Sequence, residues 1–300
     1  MPAEELPLEL IEHVFHRGCM ASTQFCLTLC LVSSWARCIA LPHLYSAVKL
    51  QTQSSLIAFH QTIVKGKGRI SPTILPLHLH VRSLWIKPIS NVVVDIFNAC
   101  ENLEYISLHE ENLVWLIRPP LGPSVTALPA MADPTSLNRD LHLWVVRGRT
   151  HRFYPLDSIS TSLSSPFLNK ITHLVLDGST GYNTLKNIKL CNRLTHLAVT
   201  YDGSPPQDLE SLAVALRTAP RRDIISCVLI LLVDVLTTTQ RIETLSWVQG
   251  VNVPRRIRVL PLRSLGLRAE WEEQMRTGVN FWEKVEKNSR GEIFGMALTP

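Results

Sequence analysis

Charge is scarce in this 300-residue chain: Asp, Glu, Lys and Arg make up 18%, against 46% apolar residues. That balance is the opposite of a disordered or solvating segment and reads as a folded core. The formal net charge is only +5. Basic groups at Lys65 to Arg69, Arg221-Arg222 and Arg255 to Arg258 are scattered and not interleaved with aromatics. They read as solvated loops, and no nucleic-acid partner is expected. Long apolar runs are missing too. The longest, Ile224 to Leu236, is interrupted by Asp234 and is too short to span a bilayer, so no membrane partner is expected. The N-terminus is acidic before it is apolar, unlike a signal peptide.

Paired-cysteine motifs are absent. The seven cysteines (Cys19, Cys26, Cys30, Cys38, Cys100, Cys191 and Cys227) are odd in number, and no C-x-x-C occurs. Several sit in apolar runs, where a free thiol behaves as a small hydrophobe. This is the usage of a reduced, intracellular chain, in cytoplasm or nucleus. Motifs that carry chemistry are lacking as well. There is no G-x-S-x-G and no G-x-G-x-x-G, and Lys65-Gly66-Lys67-Gly68 is not a phosphate-binding loop. His13-x-x-His16-x-x-Cys19 has zinc-type donors, but no fourth ligand lies nearby. The pairs Glu110-Glu111 and Glu272-Glu273 lie in polar contexts. The expectation is a protein that is not an enzyme, with no cofactor, metal or catalytic residue.

What is present is a repeat. The pattern apolar-x-x-apolar-x-apolar begins at Val81, Leu103, Leu141, Ile171 and Leu194, with weaker copies at Ile225 and Leu262. Val81 and Leu103 are 22 apart, and Ile171 and Leu194 are 23 apart. Both gaps fit the period of leucine-rich repeats, one strand and one return segment per unit. Other gaps, of 38, 30 and 31 residues, are irregular. A Pro-rich loop at about 118–138 interrupts the series. Val92 to Cys100 reads as a return helix. Asp208 to Thr218 reads as an amphipathic helix capped by Asp208. His78 and His80 alternate with Leu77 and Leu79 as on a strand. His173 and His196 hold equivalent places in two repeats, so adjacent strands would set them side by side. Trp271, Met275, Trp282 and Val285 mark a helical stripe from Ala269 to Arg290, broken at Gly278. That stripe suits a cap on the open end of a repeat array, followed by a poorly ordered tail from Gly291 to Pro300.

The remaining stretch is Glu5 to Tyr45. Pro7 sits in the first turn of a helix, where its missing N–H costs nothing. Leu10, Ile11, Val14 and Phe15 make one apolar face, and Gly18 is placed to stop the helix. Ser22 or Thr23 can cap a second helix, Phe25 to Val32, which is apolar nearly all round. Ser33 to Arg37 continues that helix or starts a third, and Leu41-Pro42 ends it. Ala47 to Leu50 alternates as a short strand. About forty residues cannot bury that much apolar surface among themselves, so a partner or the rest of the chain must cover it.

The residues Leu6-Pro7-x-Glu9-Leu10, then Val14-Phe15, then Leu29, Val32-Ser33 and Trp35, then Leu41-Pro42-x-Leu44-Tyr45, resemble the F-box. The match covers about a seventh of the chain. The resemblance implies a trihelical module docking the Skp-type adaptor of a cullin–RING ubiquitin ligase. It assigns that contact to Leu6, Pro7, Leu10, Ile11, Val14, Val32 and Trp35. The expected fold class is α/β: an N-terminal trihelical F-box-like module at 1–50, then an irregular leucine-rich-repeat-like solenoid with mostly parallel short strands at 51–268. A C-terminal capping helix and tail would occupy 269–300. The function the resemblance implies is substrate recognition for a Skp–cullin–F-box type ligase, with a protein substrate held by the repeat body. The alternative is a leucine-rich-repeat scaffold with no ligase association.

Overall fold

Local signals explain where the elements begin in this computed structural model, which describes residues 7–64, 76–117, 140–146, 165, 167–177, 187–203, 206–218, 226–251, 257–263 and 266–288. The α-helices are α1 (Leu8–Ala21), α2 (Thr23–Val32), α3 (Ser34–Ser46), α4 (Gln53–Ile63), α5 (Val93–Ala99), α6 (Glu110–Ile117), α7 (Pro206–Thr218), α8 (Thr238–Gly250), α9 (Gly266–Thr277) and α10 (Phe281–Asn288). The strands are β1 (Ala47–Leu50), β2 (Ser83–Ile86), β3 (Tyr105–His109), β4 (Leu141–Val146), β5 (Ile171–Leu176), β6 (His196–Tyr201), β7 (Ser226–Leu232) and β8 (Ile257–Leu262). They lie in one sheet in the order of the chain. Each pairing with a described register is parallel: β1–β2 and the series from β4 to β8. The protein is therefore a mixed α/β protein with a parallel sheet. Among the described residues, no helix is long and apolar enough to cross a membrane.

The chain divides into two compact units, Met1–Tyr105 and Ile106–Pro300. In the first, Ser22 caps α2 by accepting from the Phe25 N–H, and Ser33 caps α3 by accepting from the Ala36 N–H. Thr52 and Ser55 form a reciprocal capping box that starts α4. The three-helix module has its own core of Cys19, Cys26, Leu29, Ala36 and Ala40, with Phe15, Phe25, Cys30 and Leu44 packed around it.

In the second unit every residue of β7 is buried, as expected when a parallel sheet is covered on both faces. β8 stands at the end of the strand order, and an edge strand tolerates Pro261, which has no N–H to give. Thr237 and Gln240 form the capping box of α8. Gly278 takes the left-handed conformation, with φ +71°, and separates α9 from α10 at the expected break. Trp271, Trp282 and Val285 of the expected stripe are buried.

The repeat positions land on strands. Leu84, Ile86, Ile106, Leu108, Leu174, Leu176, Leu197 and Val199 are all buried. The period also shows in side-chain bonds between units 23 residues apart: Asn192 Nδ2 donates to Asn169 Oδ1, and Thr195 Oγ1 donates to the Thr172 carbonyl. Asn102 Nδ2 likewise donates to the Leu79 carbonyl at 2.6 Å, across the same interval.

Several expectations need correction. Pro42 lies inside α3 and does not end it. Ala36 and Ala40 are fully buried, and their packing outweighs the single backbone bond that Pro42 cannot make. His78 and His80 lie on a short 3-10 turn, Leu77–His80, and not on a strand. Pro206, two residues before Asp208, is the first residue of α7. Leu262 ends β8 and Leu267 belongs to α9, so the copy that begins at Leu262 does not lie on one strand. The terminal stripe is carried by two helices, α9 and α10. Leu6, the Pro-rich loop at 118–138, the basic groups at 65–69 and 221–222, Arg255 and Arg256, Ile225, Leu265 and the tail at 291–300 fall outside the described residues.

Gly18 does not stop α1, which continues to Ala21. Its role is steric: a Cβ there would run into the Phe25 ring, which meets Phe15 at 6.4 Å in an edge-on arrangement. Gly18→Ala sets a helix-propensity gain of about 1 kcal/mol against an overpacking cost of about 1–3 kcal/mol. The expected outcome is a net loss of stability, read as a lower urea midpoint with an unchanged slope.

Candidate docking face and histidine ladder

The first candidate site is the outer side of the three-helix module. Leu10 and Val14, four residues apart on α1, share a ridge and are 53% and 60% exposed. Val32 ends α2 and is 65% exposed. Trp35 opens α3 at 37% exposure, with its ring 5.6 Å from Phe15, the neighbour of Val14. The Ser33 cap sets the corner between Val32 and Trp35, so it fixes where both side chains stand. Pro7 is exposed at the N-cap of α1, one residue earlier than expected, and its carbonyl accepts from Leu10 and Ile11. Ile11 is half-buried. Leu8, Leu27 and Leu31 are also exposed, and the resemblance did not single them out. The helical period marks Leu27 and Leu31 as a pair four apart, but α2 is apolar on nearly every side. Its pattern therefore cannot say which side faces out.

The donors of His13-x-x-His16-x-x-Cys19 are not brought together as a ligand set. Cys19 is buried in the module core and His13 is exposed. His16 Nδ1 lies 2.8 Å from His43 Nε2, a hydrogen bond between two imidazoles. Burial, and then the His16 ring, hold His43 below the ordinary histidine range. Among the described residues no three His, Cys, Asp or Glu side chains converge as a metal site. Burial raises the Cys26 thiol to about 12, with the Cys19 side chain adding to the effect, so it is held as a neutral thiol.

The second candidate is in the sheet. His173 and His196 are register partners on β5 and β6, as the repeat predicts, and their rings stack at 4.1 Å with planes 11° apart. A third ring extends the stack: His142 on β4 lies 3.8 Å from His173, again at 11°. Sequence spacing hid it. His142 follows the first repeat residue, Leu141, directly, whereas His173 stands two places after Ile171. A register shift between Leu141 and His142 absorbs the extra β5 residue and aligns His142 with His173. Such a shift has no signal in spacing alone.

Hydrogen bonding fixes part of this ladder. Thr195 Oγ1 gives its one hydrogen to the Thr172 carbonyl, so it must accept from His196 Nδ1, 2.8 Å away. His196 is then the Nδ1-protonated tautomer. Thr172 Oγ1 makes the corresponding bond to His173 Nδ1 at 2.9 Å. The indole of Trp282, from α10, leans on His196 at 5.1 Å and on His173 at 5.5 Å. Burial first pushes His173 down to about 2 and His142 to about 3, with the two flanking imidazoles adding for His173 and the His196 ring for His142. Burial also lowers His196, with Glu286 opposing and Arg258 assisting. Stacked rings at this spacing cannot aim their nitrogen lone pairs at one ion, so the ladder is a packing and hydrogen-bonding device.

The module's open side and its core predict different responses. Leu31→Ser and Val32→Ser should change stability by no more than about 0.5 kcal/mol, because their side chains are in water. Leu29→Ala, on the same helix but in the core, should cost about 2–5 kcal/mol. Thermal melts of the three variants check this. Equal losses at Leu29 and Val32 would mean that the face is covered. No family model matches the chain, and no curated protein or solved structure matches it either.

Proposed function

We propose that the chain is a non-enzymatic substrate adaptor of a Skp–cullin–F-box type ubiquitin ligase. In this reading α1 to α3 dock the Skp-type adaptor through Pro7, Leu10, Ile11, Val14, Val32 and Trp35, together with Leu6. The repeat body holds a protein substrate. The mechanism is proximity: one scaffold raises the substrate's effective concentration beside the ligase to the order of mM.

The observation that carries the reading is an apolar side left open by a module that already has a core. Leu10, Val14, Val32 and Trp35 are exposed while Cys19, Leu29, Ala36 and Ala40 fill the interior. Helices that merely capped their own domain would bury those four residues. Exposed apolar side chains grouped on one small module are the mark of an interaction site. Trp35 is the expected anchor, since aromatic residues dominate binding energy at interfaces.

The leucine-rich-repeat part of the proposal is supported by strand order. Strands that follow the chain order in parallel need a return connection after each one. Right-handed crossovers in a constant direction would carry successive connections over one face, the layout of a solenoid. The bonds repeating every 23 residues, through Asn169, Thr172 and their partners, are consistent with stacked equivalent units.

Co-expression with a Skp-type adaptor and affinity capture tests the proposal. Wild type should be retained with the adaptor. Val32→Ser with Trp35→Ala, checked by melting to be folded, should weaken binding by about 30-fold or more, the loss of an interface anchor. Absence of binding by wild type, or full binding by the folded double variant, would refute it.

A further inference from the structure

The histidine ladder offers a device that the docking proposal does not use. Three imidazoles stand face to face across β4, β5 and β6, and the strand order continues the row with Ser226, the register partner of His196 on β7. Above them α10 is pinned by aromatic contacts. Phe281 meets Trp144 of β4 at 5.5 Å, and Trp282 covers His173 and His196. The helix follows Gly278, whose positive φ and open surroundings make it the natural pivot.

We propose that the ladder and Trp282 form an acid-operated clasp: neutral stacked imidazoles hold α10 against the sheet, and proton uptake by His173 and His196 releases it. Two imidazolium rings about 4 Å apart in a partly buried stack repel each other and lack the water that charge requires. A cation beneath the Trp282 face could gain from the indole, but only one ring at a time can do so without facing another charged ring.

Among the described residues, Arg258 and Glu286 are the charged groups that act on the ladder. Arg258 of β8 donates to Ser226 Oγ and lies 3.7 Å from Glu286 of α10. Glu286 favours a charged His196, and Arg258 opposes it. The neighbours that shift His142 are burial and the His196 ring, and those that shift His173 are burial and the two flanking imidazoles. Thr172 and Thr195 present hydroxyls. Among the described residues no carboxylate contributes to the shift of His173, whereas Glu286 favours a charged His196.

The direction of the pH effect follows from linkage. A hydrated histidine titrates at about 6.5, whereas all three ladder rings are held below that when α10 is closed. The closed state therefore stays neutral while the opened state takes up protons. Closure is at full strength above about pH 6.5 and weakens as pH falls, by about tenfold per pH unit for each histidine uncovered. Trp282 covers two of them, so the limit is about a hundredfold per unit.

Hydrogen exchange of the full-length chain, followed by mass spectrometry and corrected for intrinsic rates, reads this directly. Protection of 281–288 should be level above about pH 6.5 and fall below it, with a slope approaching about 10- to 100-fold per unit, while β7 amides keep theirs. Replacing both rings with uncharged aromatics, His173→Phe and His196→Phe, should abolish that slope. The single change His196→Gln, milder for packing, should reduce it. The clasp is overturned if wild-type α10 protection is flat with pH, or falls in step with β7 through global unfolding. It is also overturned if either folded variant keeps the full wild-type slope. The wild-type profile alone decides the matter should the double variant not fold.

Discussion

Parallel pairing between strands consecutive in the chain is the constraint on which the second unit depends. Each described strand from β4 to β8 hydrogen-bonds in parallel to the next, so each must be followed by a return segment. Every residue of β7 is buried, which is why it has no polar-apolar alternation and is apolar after Ser226. The same pairing puts residues at equal repeat positions directly beside one another. Whatever chemistry a repeat position carries is thereby multiplied into a row: amides at Asn169 and Asn192, hydroxyls at Thr172 and Thr195, imidazoles at His142, His173 and His196.

The three-helix module obeys a different logic. Its helices are short, and serine caps begin α2 and α3. Its interior is built from small residues and thiols, with Ala36 and Ala40 allowing close approach. A core of that size covers only part of the module's apolar surface, and Leu10, Val14, Leu31, Val32 and Trp35 are left outside. The open side is thus a consequence of size as well as composition, and the proposed docking role gives that excess a use. The steric demand at Gly18 shows how tightly the inner side is set: Phe25 occupies the place of a side chain there.

Legibility in the sequence tracked how local each signal was. Strands were readable from the copies that begin at Leu103, Ile171 and Leu194, because two buried positions per strand recur with a fixed offset. The break at Gly278 and the buried Trp271, Trp282 and Val285 were readable from helical spacing. Failures occurred where tertiary context overrode a local rule. Pro42 stays helical because its neighbours are packed. His78 and His80 alternate with leucines yet sit on a 3-10 turn, since two alternations are too few to separate a strand from a turn. At the candidate face the helical stripe named Leu10, Val14 and Trp35. It missed Leu27 and Leu31, because a helix apolar all round carries no direction. His142 was out of reach for the opposite reason: the register shift beside it is a property of two strands together.

Repetition also explains why the ladder can exist at all. One buried imidazole beside a threonine hydroxyl is an ordinary satisfied core group. Three in register are not independent, because each ring's charge would be felt by its neighbours at about 4 Å, and the lowering of His173 includes the effect of both flanking rings. The stack is therefore stable as a neutral unit. Thr195 orients the ring by giving its only hydrogen to the Thr172 carbonyl, which commits it to accept from His196 Nδ1 and, in the neutral ring, leaves the lone pair on Nε2. A chain of hydroxyl and carbonyl groups along the strand edges thus fixes a tautomer, the tautomer fits a neutral stack, and the neutral stack gives Trp282 an apolar surface on which to rest. Repeated placement of one residue type converts a strand-pairing rule into a surface whose affinity for α10 depends on proton concentration.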